Sequence, residues 1–374
     1  MKNVLFLHSS SELYGSDRSL LNILKNLDRD KYKIFVILPC EGPLVEAIRQ
    51  LGDVKIEIFQ VAVLRRKNLS IKGGLEYIRD FRASKKYIEE YVRMNNIDII
   101  DTNTSVVFPG AVVAKKENIY SVWHIREIIG NRYENLFISW MMNRYADTIV
   151  ANSKSTGAAL KVECSKIRVV YNAVDEIESV YVKTDKVPTI GMAGRINRWK
   201  GQKLFVDAAE IVVKERPDAQ FLIAGDVYSG EEAIKKDLSD YIDQKSLSTN
   251  VKLLGQVNDM HDFYNRLDIF VLPSIQPEPF GLVVIEAMEH RLPVIATRHG
   301  GPMEIINDGE DGFLVDFNDA KEMAEKILIL LNDETKKIKF GEQAFIDKRR
   351  RFSVKNMVNG IEQVFEENNK SNRS

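Results

Sequence analysis

Short runs rich in Val and Ile, each four to seven residues long, recur along this 374-residue chain and alternate with longer segments of helical periodicity. No other feature constrains the fold as much. Continuous apolar runs read as strands buried on both faces, and parallel strands need a crossover that is usually a helix. Seven runs, at residues 4–8, 34–39, 56–61, 97–103, 120–125, 148–152 and 167–171, precede residue 172. Six more, at 189–193, 220–224, 251–254, 269–272, 293–296 and 312–315, follow residue 188. Two such sets make two Rossmann-like α/β domains, and the chain is too long for one ordinary core. The polar, acidic stretch 172–188 between them is the expected hinge. The last helix is expected over about 353–367, with a frayed tail beyond it.

Composition is that of a soluble globular protein, with 44% hydrophobic and 29% charged residues. A net charge of −1 hides an asymmetry. Residues 1–175 hold 26 Lys and Arg against 20 Asp and Glu, whereas residues 176–374 hold 27 against 34. The halves are therefore expected to meet different partners. Cys40 and Cys164 lack the spacing of a zinc site or a disulfide framework, which fits free thiols in a reducing cytoplasm. The opening MKNVLFLHSSS has too short an apolar run for a signal peptide and reads as a first strand. No apolar run reaches the ~18 residues of a membrane span.

The candidate chemistry concentrates in residues 273–306, PSIQPEPFGLVVIEAMEHRLPVIATRHGGPMEII. Glu278 and Glu286 stand eight apart, with Pro279, Phe280 and Gly281 between them. Pro279 suits a first helical position, and Leu282, Val283, Ile285 and Met288 then make a largely buried helix. From a start near Pro279, Glu286 lies about two turns in, ~10 Å away. That is about the span of a diphosphate between a sugar and a ribose. One carboxylate can then hold each end of a nucleotide-sugar, with the positive helix N-terminus at Phe280, Gly281 and Leu282 facing the phosphates. Arg195 and Lys200 follow the run 189–193, where Gly194 lets the backbone approach a ligand closely. A guanidinium grips two phosphate oxygens and an ammonium adds a point charge.

These residues carry a resemblance. Glu278-PFGLVVI-Glu286 resembles the E-x7-E signature of retaining glycosyltransferase family 4, of the GT-B fold. Gly300-Gly301-Pro302-Met303-Glu304 resembles that family's Gly-Gly-x-x-Glu turn, and Gly191-Met192-Ala193-Gly194-Arg195 with Lys200-Gly201 resembles its phosphate-binding element. The resemblance implies two Rossmann-like domains facing a central cleft. The acceptor-side domain covers residues 1–172 and takes back a crossover helix and tail at 357–374; the nucleotide-sugar domain covers 188–356. His124, in Val122-Trp123-His124-Ile125-Arg126-Glu127, matches a histidine that hydrogen-bonds the donor sugar near the reacting carbon. Gly15 matches one of two glycines that the family places near the donor phosphate, with Tyr14 before it here. Ala151-Asn152-Ser153 resembles an Asn-Ser turn, and Val169-Val170-Tyr171-Asn172-Ala173-Val174-Asp175 the segment leading into the hinge.

Read from the residues alone, several of these positions have plainer roles. A lone histidine in an apolar strand is more often structural, and Arg126 and Glu127 can pair with each other. Ser16 or Asp17 can cap a helix beginning near Arg18, and Ser153 another. Only Gly15 stands where a dinucleotide site would want G-x-G-x-x-G, so no nicotinamide or flavin is expected. Asp28-Arg29-Asp30 reads as a turn rather than a D-x-D metal site. Arg65, Arg66, Lys67, Lys72, Arg79, Arg82, Lys85, Lys86 and Arg93 are nine cations against four acids over residues 65–93, with Tyr77, Phe81, Tyr87 and Tyr91 among them. An amphipathic helix on an anionic membrane surface and a solvated helix face both fit this stretch. No nucleic-acid recognition motif accompanies it.

The expected function is a retaining glycosyltransferase. It moves a sugar from a nucleotide-diphosphate-sugar to a lipid-linked or saccharide acceptor, in cell-surface polysaccharide or glycolipid synthesis. Arg195, Lys200, Glu278 and His124 are the candidate catalytic residues. Glu286, Gly194, Phe280, Gly281, Leu282 and Gly15 are the candidate donor-binding residues. No metal and no cofactor is expected beyond the donor itself, and the enzyme is expected in the cytoplasm, on the inner face of the membrane. Two alternatives stay open: a nucleotide-sugar epimerase on the same scaffold, and a non-catalytic sugar-binding protein of two lobes, a class usually exported.

Overall fold

The computed structural model describes residues 1–65, 68, 70–177 and 187–371, with side chains as far as residue 367. Arg66 and Lys67 of the basic stretch, most of the expected hinge and the end of the tail lie outside the described residues. Contacts divide the chain into two compact units, Met1–Ala173 with Val354–Ser374, and Val174–Ser353.

The first unit runs β1 (Lys2–Leu7), α1 (Gly15–Asn26), β2 (Tyr32–Leu38), α2 (Pro43–Arg49), β3 (Lys55–Ile58), α3 (Ile71–Met94) and β4 (Ile99–Thr102). It continues with α4 (Pro109–Glu117), β5 (Tyr120–Ile125), α5 (Arg132–Tyr145), β6 (Thr148–Ala151), α6 (Lys154–Ala158) and β7 (Ile167–Val169). The second runs β8 (Thr189–Ala193), α7 (Gln202–Glu215), β9 (Gln220–Ala224), α8 (Glu232–Gln244), β10 (Val251–Gly255), α9 (Met260–Asn265) and β11 (Ile269–Leu272). After these come α10 (Leu282–Glu289), β12 (Val294–Thr297), α11 (Pro302–Ile305), β13 (Gly312–Val315), α12 (Ala320–Asn332) and α13 (Glu334–Arg351). A last helix, α14 (Val354–Ser371), belongs to the first unit.

Each expected run holds one strand. The seven strands of the first sheet are ordered β3-β2-β1-β4-β5-β6-β7 and the six of the second β10-β9-β8-β11-β12-β13. All pairings between these strands are parallel. Val4, Phe6, Ile34, Val36, Ile99 and Val122 are buried on one face of the first sheet, against Leu20, Ile23 and Leu24 of α1 and Ile361, Val364 and Phe365 of α14. The Phe365 ring meets Tyr32 edge-on at 5.5 Å and Phe6 at 6.2 Å. This apolar face is why the terminal helix returns to the first unit. On the sheet's other face lie α3, α4 and α5.

Three local readings change. The helix α1 starts at Gly15 rather than near Arg18, and Asp17, in its first turn, accepts the Tyr14 N–H at 2.9 Å instead of standing as its N-cap. The helix α10 starts at Leu282, not near Pro279. Gly281 sits at φ +101°, which a helix cannot contain, and Glu278 is held upstream in a bridge with Gly300. Glu286 is thus about one turn into its helix, ~6 Å from the start. Arg126 and Glu127 do not pair: Arg126 turns to Asn103, Ser19 and Asn172, and Glu127 accepts from the Ser105 hydroxyl. The turn at Asp28 holds, its carbonyl accepting from Tyr32 N–H at 2.9 Å. Ser153 caps α6 through the Thr156 N–H at 2.9 Å.

Candidate active site

In each sheet the strand order reverses at the first strand's far neighbour, between β1 and β4 and between β8 and β11. Ligands of open α/β sheets bind beyond the C-terminal strand ends at such a switch point. In the second unit the two segments leaving that point are Gly194–Gly201, after β8, and Pro273–Gly281, after β11. They carry Arg195, Lys200 and Glu278.

Lys200 and Glu278 meet there. The Lys200 ammonium donates to both carboxylate oxygens, at 2.7 and 2.9 Å, and the Ser274 hydroxyl donates to Oε2 at 3.0 Å. Both side chains are mostly buried. Asn197 Oδ1 accepts the Trp199 and Lys200 N–H groups and holds the turn that aims Lys200. Gly201 closes this turn at φ +75°, and a Cβ there would overlap the Pro273 carbonyl oxygen. Glycine is required, because the two site segments touch backbone to backbone. The Arg195 guanidinium lies 3.3 Å over the Tyr228 ring, a stacking that fixes its plane.

The Gly-Gly turn is built against the same segment. Gly301 N–H donates to the Glu278 carbonyl at 2.7 Å, and a Cβ on Gly301 would overlap the Phe280 backbone. Phe280 is buried edge-on against Phe352 at 5.8 Å, while Gly281 caps α10 and Leu282 opens it. The first amides of α10 therefore point out of the helix beside Glu278. One turn on, Glu286 Oε2 accepts from Tyr264 OH at 2.7 Å. The neighbouring His290 donates Nδ1–H to the Glu286 carbonyl at 2.8 Å, and burial pulls its pKa down. Buried Glu289 anchors the base of α10 through Lys348 and Arg349, both at 2.7 Å, and accepts Ile177 N–H at 3.0 Å. Burial works to raise the Glu289 pKa, yet its bonds to Arg349 and Lys348 hold it below the ordinary carboxylate value. Of the basic run 348–351, Lys348 is buried, Arg351 donates to the carbonyls of Glu304 and Ile305, and Arg350 is exposed.

In the first unit, Gly15 opens α1, and His124 ends a buried network at the C-terminal ends of β1, β4 and β5. His124 Nε2 donates to Asp101 at 2.9 Å and Nδ1 faces Arg126 at 3.4 Å. Arginine only donates, so Nδ1 accepts and the ring is the Nε2–H tautomer. Asn103, itself bonded by Arg126, approaches His8 Nδ1 at 3.3 Å, and His8 Nε2 meets Asp17 at 2.6 Å. Burial lowers the Arg126 pKa to about 10 against the pull of Asp101 and Glu127. Both His124 nitrogens are engaged in this state, so a sugar contact from its ring requires exchanging one of these bonds. The sequence reading missed His8, Asp17 as its partner, Tyr264 and Ser274. Isolated polar residues, at a strand end as His8 is or inside a helix as Tyr264 is, carry no spacing signal.

Of the two readings of the basic helix, the solvated face fits its exposed, acid-paired cations. Tyr77 and Phe81 pack toward the core, Tyr87 stacks on Phe59 and Tyr91 is buried, while Arg79, Lys85, Lys86 and Arg93 pair with acids. Exposed apolar side chains include Ile71, Leu75, Ile78 and Met94 of α3 and Tyr133, Leu136, Phe137 and Trp140 of α5. Among the described residues no group of three or more His, Cys, Asp or Glu is placed to hold a metal ion, and no helix is long and apolar enough to cross a membrane.

Comparisons with known proteins agree with this arrangement. Residues 174–347 match the family model described as Glycosyl transferases group 1, and residues 14–177 match Glycosyltransferase Family 4. An uncharacterized glycosyltransferase of Methanocaldococcus jannaschii is 28% identical over 341 residues, covering 86% of this chain and 92% of its own. The capsular polysaccharide biosynthesis glycosyltransferase CapM of Staphylococcus aureus is 38% identical over 146 residues, covering 39% of this chain and 37% of CapM. Among solved structures, Anabaena HepE in complex with UDP aligns at TM-score 0.82 and 25% identity, covering 98% of this chain and all of that one at 100%.

Proposed function

We propose, from the premise that this chain is a glycosyltransferase of the GT-B fold, that it takes a sugar from a uridine-diphosphate-type donor and transfers it with retention to a lipid-linked or saccharide acceptor. The observation that carries this reading is the convergence of Lys200, Glu278 and the start of α10 at the switch point of the second sheet. Glu278 holds sugar hydroxyls, and Glu286, with Oε1 outside its bond to Tyr264, takes the ribose hydroxyls. Arg195, Lys200 and the first amides of α10 receive the diphosphate, backed by Gly194 and by the backbone of Phe280, Gly281 and Leu282.

In the reaction the bond from the anomeric carbon to the diphosphate oxygen breaks as the acceptor oxygen bonds to that carbon from the same face. The acceptor's proton passes to the leaving diphosphate oxygen. Negative charge grows on the diphosphate, where two cations and a helix N-terminus stabilise it. Such cations stand in for a metal, so activity is expected to persist in EDTA. HepE, solved with UDP and with UDP-glucose, makes uridine diphosphate the first nucleotide to try. Relatives named for capsular polysaccharide and lipopolysaccharide core synthesis favour a cell-surface glycan as product. The apolar stripe of α5 supports docking on a membrane face, with α3 beside it.

Thermal-shift screening against nucleoside diphosphates and their sugars tests the reading. A nucleotide at a hundred times its dissociation constant stabilises by about 2.7 kcal/mol. Glu286→Ala is expected to weaken binding ~10- to 100-fold, the worth of hydrogen bonds to a charged acceptor. No shift with any nucleotide, or full affinity in the variant, would overturn the donor assignment.

A further inference from the structure

We propose that Tyr264 is a positioning residue that makes this site select a donor with an intact ribose diol, by fixing the Glu286 carboxylate. The inference rests on the donor reading above, in which Glu286 takes the ribose hydroxyls, and adds what prepares that carboxylate.

Tyr264 stands near the end of α9 and is only 1% exposed. Aromatic neighbours fix its ring. Phe270 of β11 meets it edge-on at 5.6 Å, Phe263 edge-on at 5.5 Å, and His290 lies tilted against it at 4.9 Å. His290 is itself held at both nitrogens. Its Nδ1–H donates to the Glu286 carbonyl at 2.8 Å, and burial lowers its pKa, keeping the ring neutral. The other nitrogen, Nε2, therefore accepts from His261 Nδ1–H, also at 2.8 Å. Held in this way, the phenol reaches α10 at a set angle. Its proton lies near two acceptors, Glu286 Oε2 at 2.7 Å and the Val283 carbonyl at 3.5 Å. The charged, nearer oxygen wins.

Packing does not require that choice. Glu286 is half-buried, so water can solvate its carboxylate without the tyrosine. What the bond does is stop the carboxylate turning about its own side-chain bonds, so less freedom is lost when a ligand binds. A carboxylate offers about four lone-pair positions, and Tyr264 occupies one on Oε2. The others suit two adjacent hydroxyls on one ring. A ribose supplies that pair, and a 2′-deoxyribose supplies half of it. A site built to bond a hydroxyl discriminates strongly against an analogue that lacks it.

Calorimetric titration of the full chain with UDP and with 2′,3′-dideoxyuridine diphosphate tests the assignment. The wild type should bind UDP ~10- to 100-fold tighter, the worth of hydrogen bonds to a charged acceptor. Tyr264→Phe should lose about fivefold in UDP affinity and nothing with the dideoxy nucleotide, whose continued binding also reports a folded site. In a Glu286→Ala background Tyr264→Phe should lose nothing further, because the two residues act as one unit. Equal losses for both nucleotides, or additive losses in the double variant, make Tyr264 a packing residue and overturn the proposal. Tighter UDP binding in Tyr264→Phe overturns it as well, since the phenol then competes with ribose. Equal binding of both nucleotides by the wild type overturns this inference alone, leaving diphosphate binding intact; no binding of either overturns the donor reading with it.

Discussion

Glu278→Gln should move nucleotide binding and sugar transfer in opposite directions. Glu278 holds Lys200 by two bonds of 2.7 and 2.9 Å, and the ammonium must leave a carboxylate to serve a diphosphate. The gross attraction of unit charges at this range is about 6 kcal/mol at an effective dielectric of ~20, mostly offset by lost hydration. A net ~1 kcal/mol suits a pair that keeps some solvent contact. Glutamine is nearly isosteric and can still accept from Ser274, so removing the charge frees Lys200 with little disturbance. UDP should then bind about fivefold tighter, the equivalent of that ~1 kcal/mol. The sugar meanwhile loses a charged acceptor worth ~1.5–3 kcal/mol, so turnover of a UDP-sugar should drop ~10- to 100-fold. Calorimetric titration of UDP and a UDP-release assay read the two effects separately. Weaker UDP binding together with undiminished turnover would refute the reasoning, because Glu278 would then neither restrain Lys200 nor touch the sugar.

Three further outcomes follow from the same geometry. Glu289→Ala leaves Lys348, fully buried, without its carboxylate and should cost ~3–5 kcal/mol, read by denaturant unfolding; Glu289→Gln with Lys348→Met should lose clearly less. Asp311 is buried beside Asp347, and burial raises its carboxyl to about 6. A raised folded pKa means that its contribution is present below about pH 4 and is lost as pH rises through about 6. Asp311→Asn should remove that downward slope from the stability–pH curve, and an unchanged slope counts against it. On vesicles with anionic lipid, Tyr133→Ser with Trp140→Ser should reduce flotation more than Lys85→Glu with Lys86→Glu, since those lysines already face Glu89 and Glu90.

Strand placement was legible because burial on both faces writes itself as continuous Val and Ile runs, such as 34–39 and 120–125. The tight turns around Lys200 and Glu278 were legible too, since glycines at 201, 300 and 301 mark places where backbone meets backbone. What the sequence hid was partnership. Lys200 and Glu278 lie 78 positions apart, and only the pairing of β8 with β11 brings them together. The start of α10 was misplaced because a proline favours a first helical turn, while Gly281 in a left-handed conformation three positions before Val284 overrode that preference. The aromatics of α3 stayed ambiguous for a related reason. Interleaving with cations does not reveal which helix face the core claims, and the core took Tyr77, Phe81 and Tyr91.

The central claim, a metal-free transfer with retention, can be tested before any acceptor is known, by letting water take its place. The enzyme is incubated in EDTA with UDP-α-sugars, and the released sugar is followed by proton NMR faster than it mutarotates. Retention predicts that the α-anomer appears first and that its rate falls in Glu278→Gln. Release of the β-anomer first, or release only after magnesium or manganese is restored, would contradict the account.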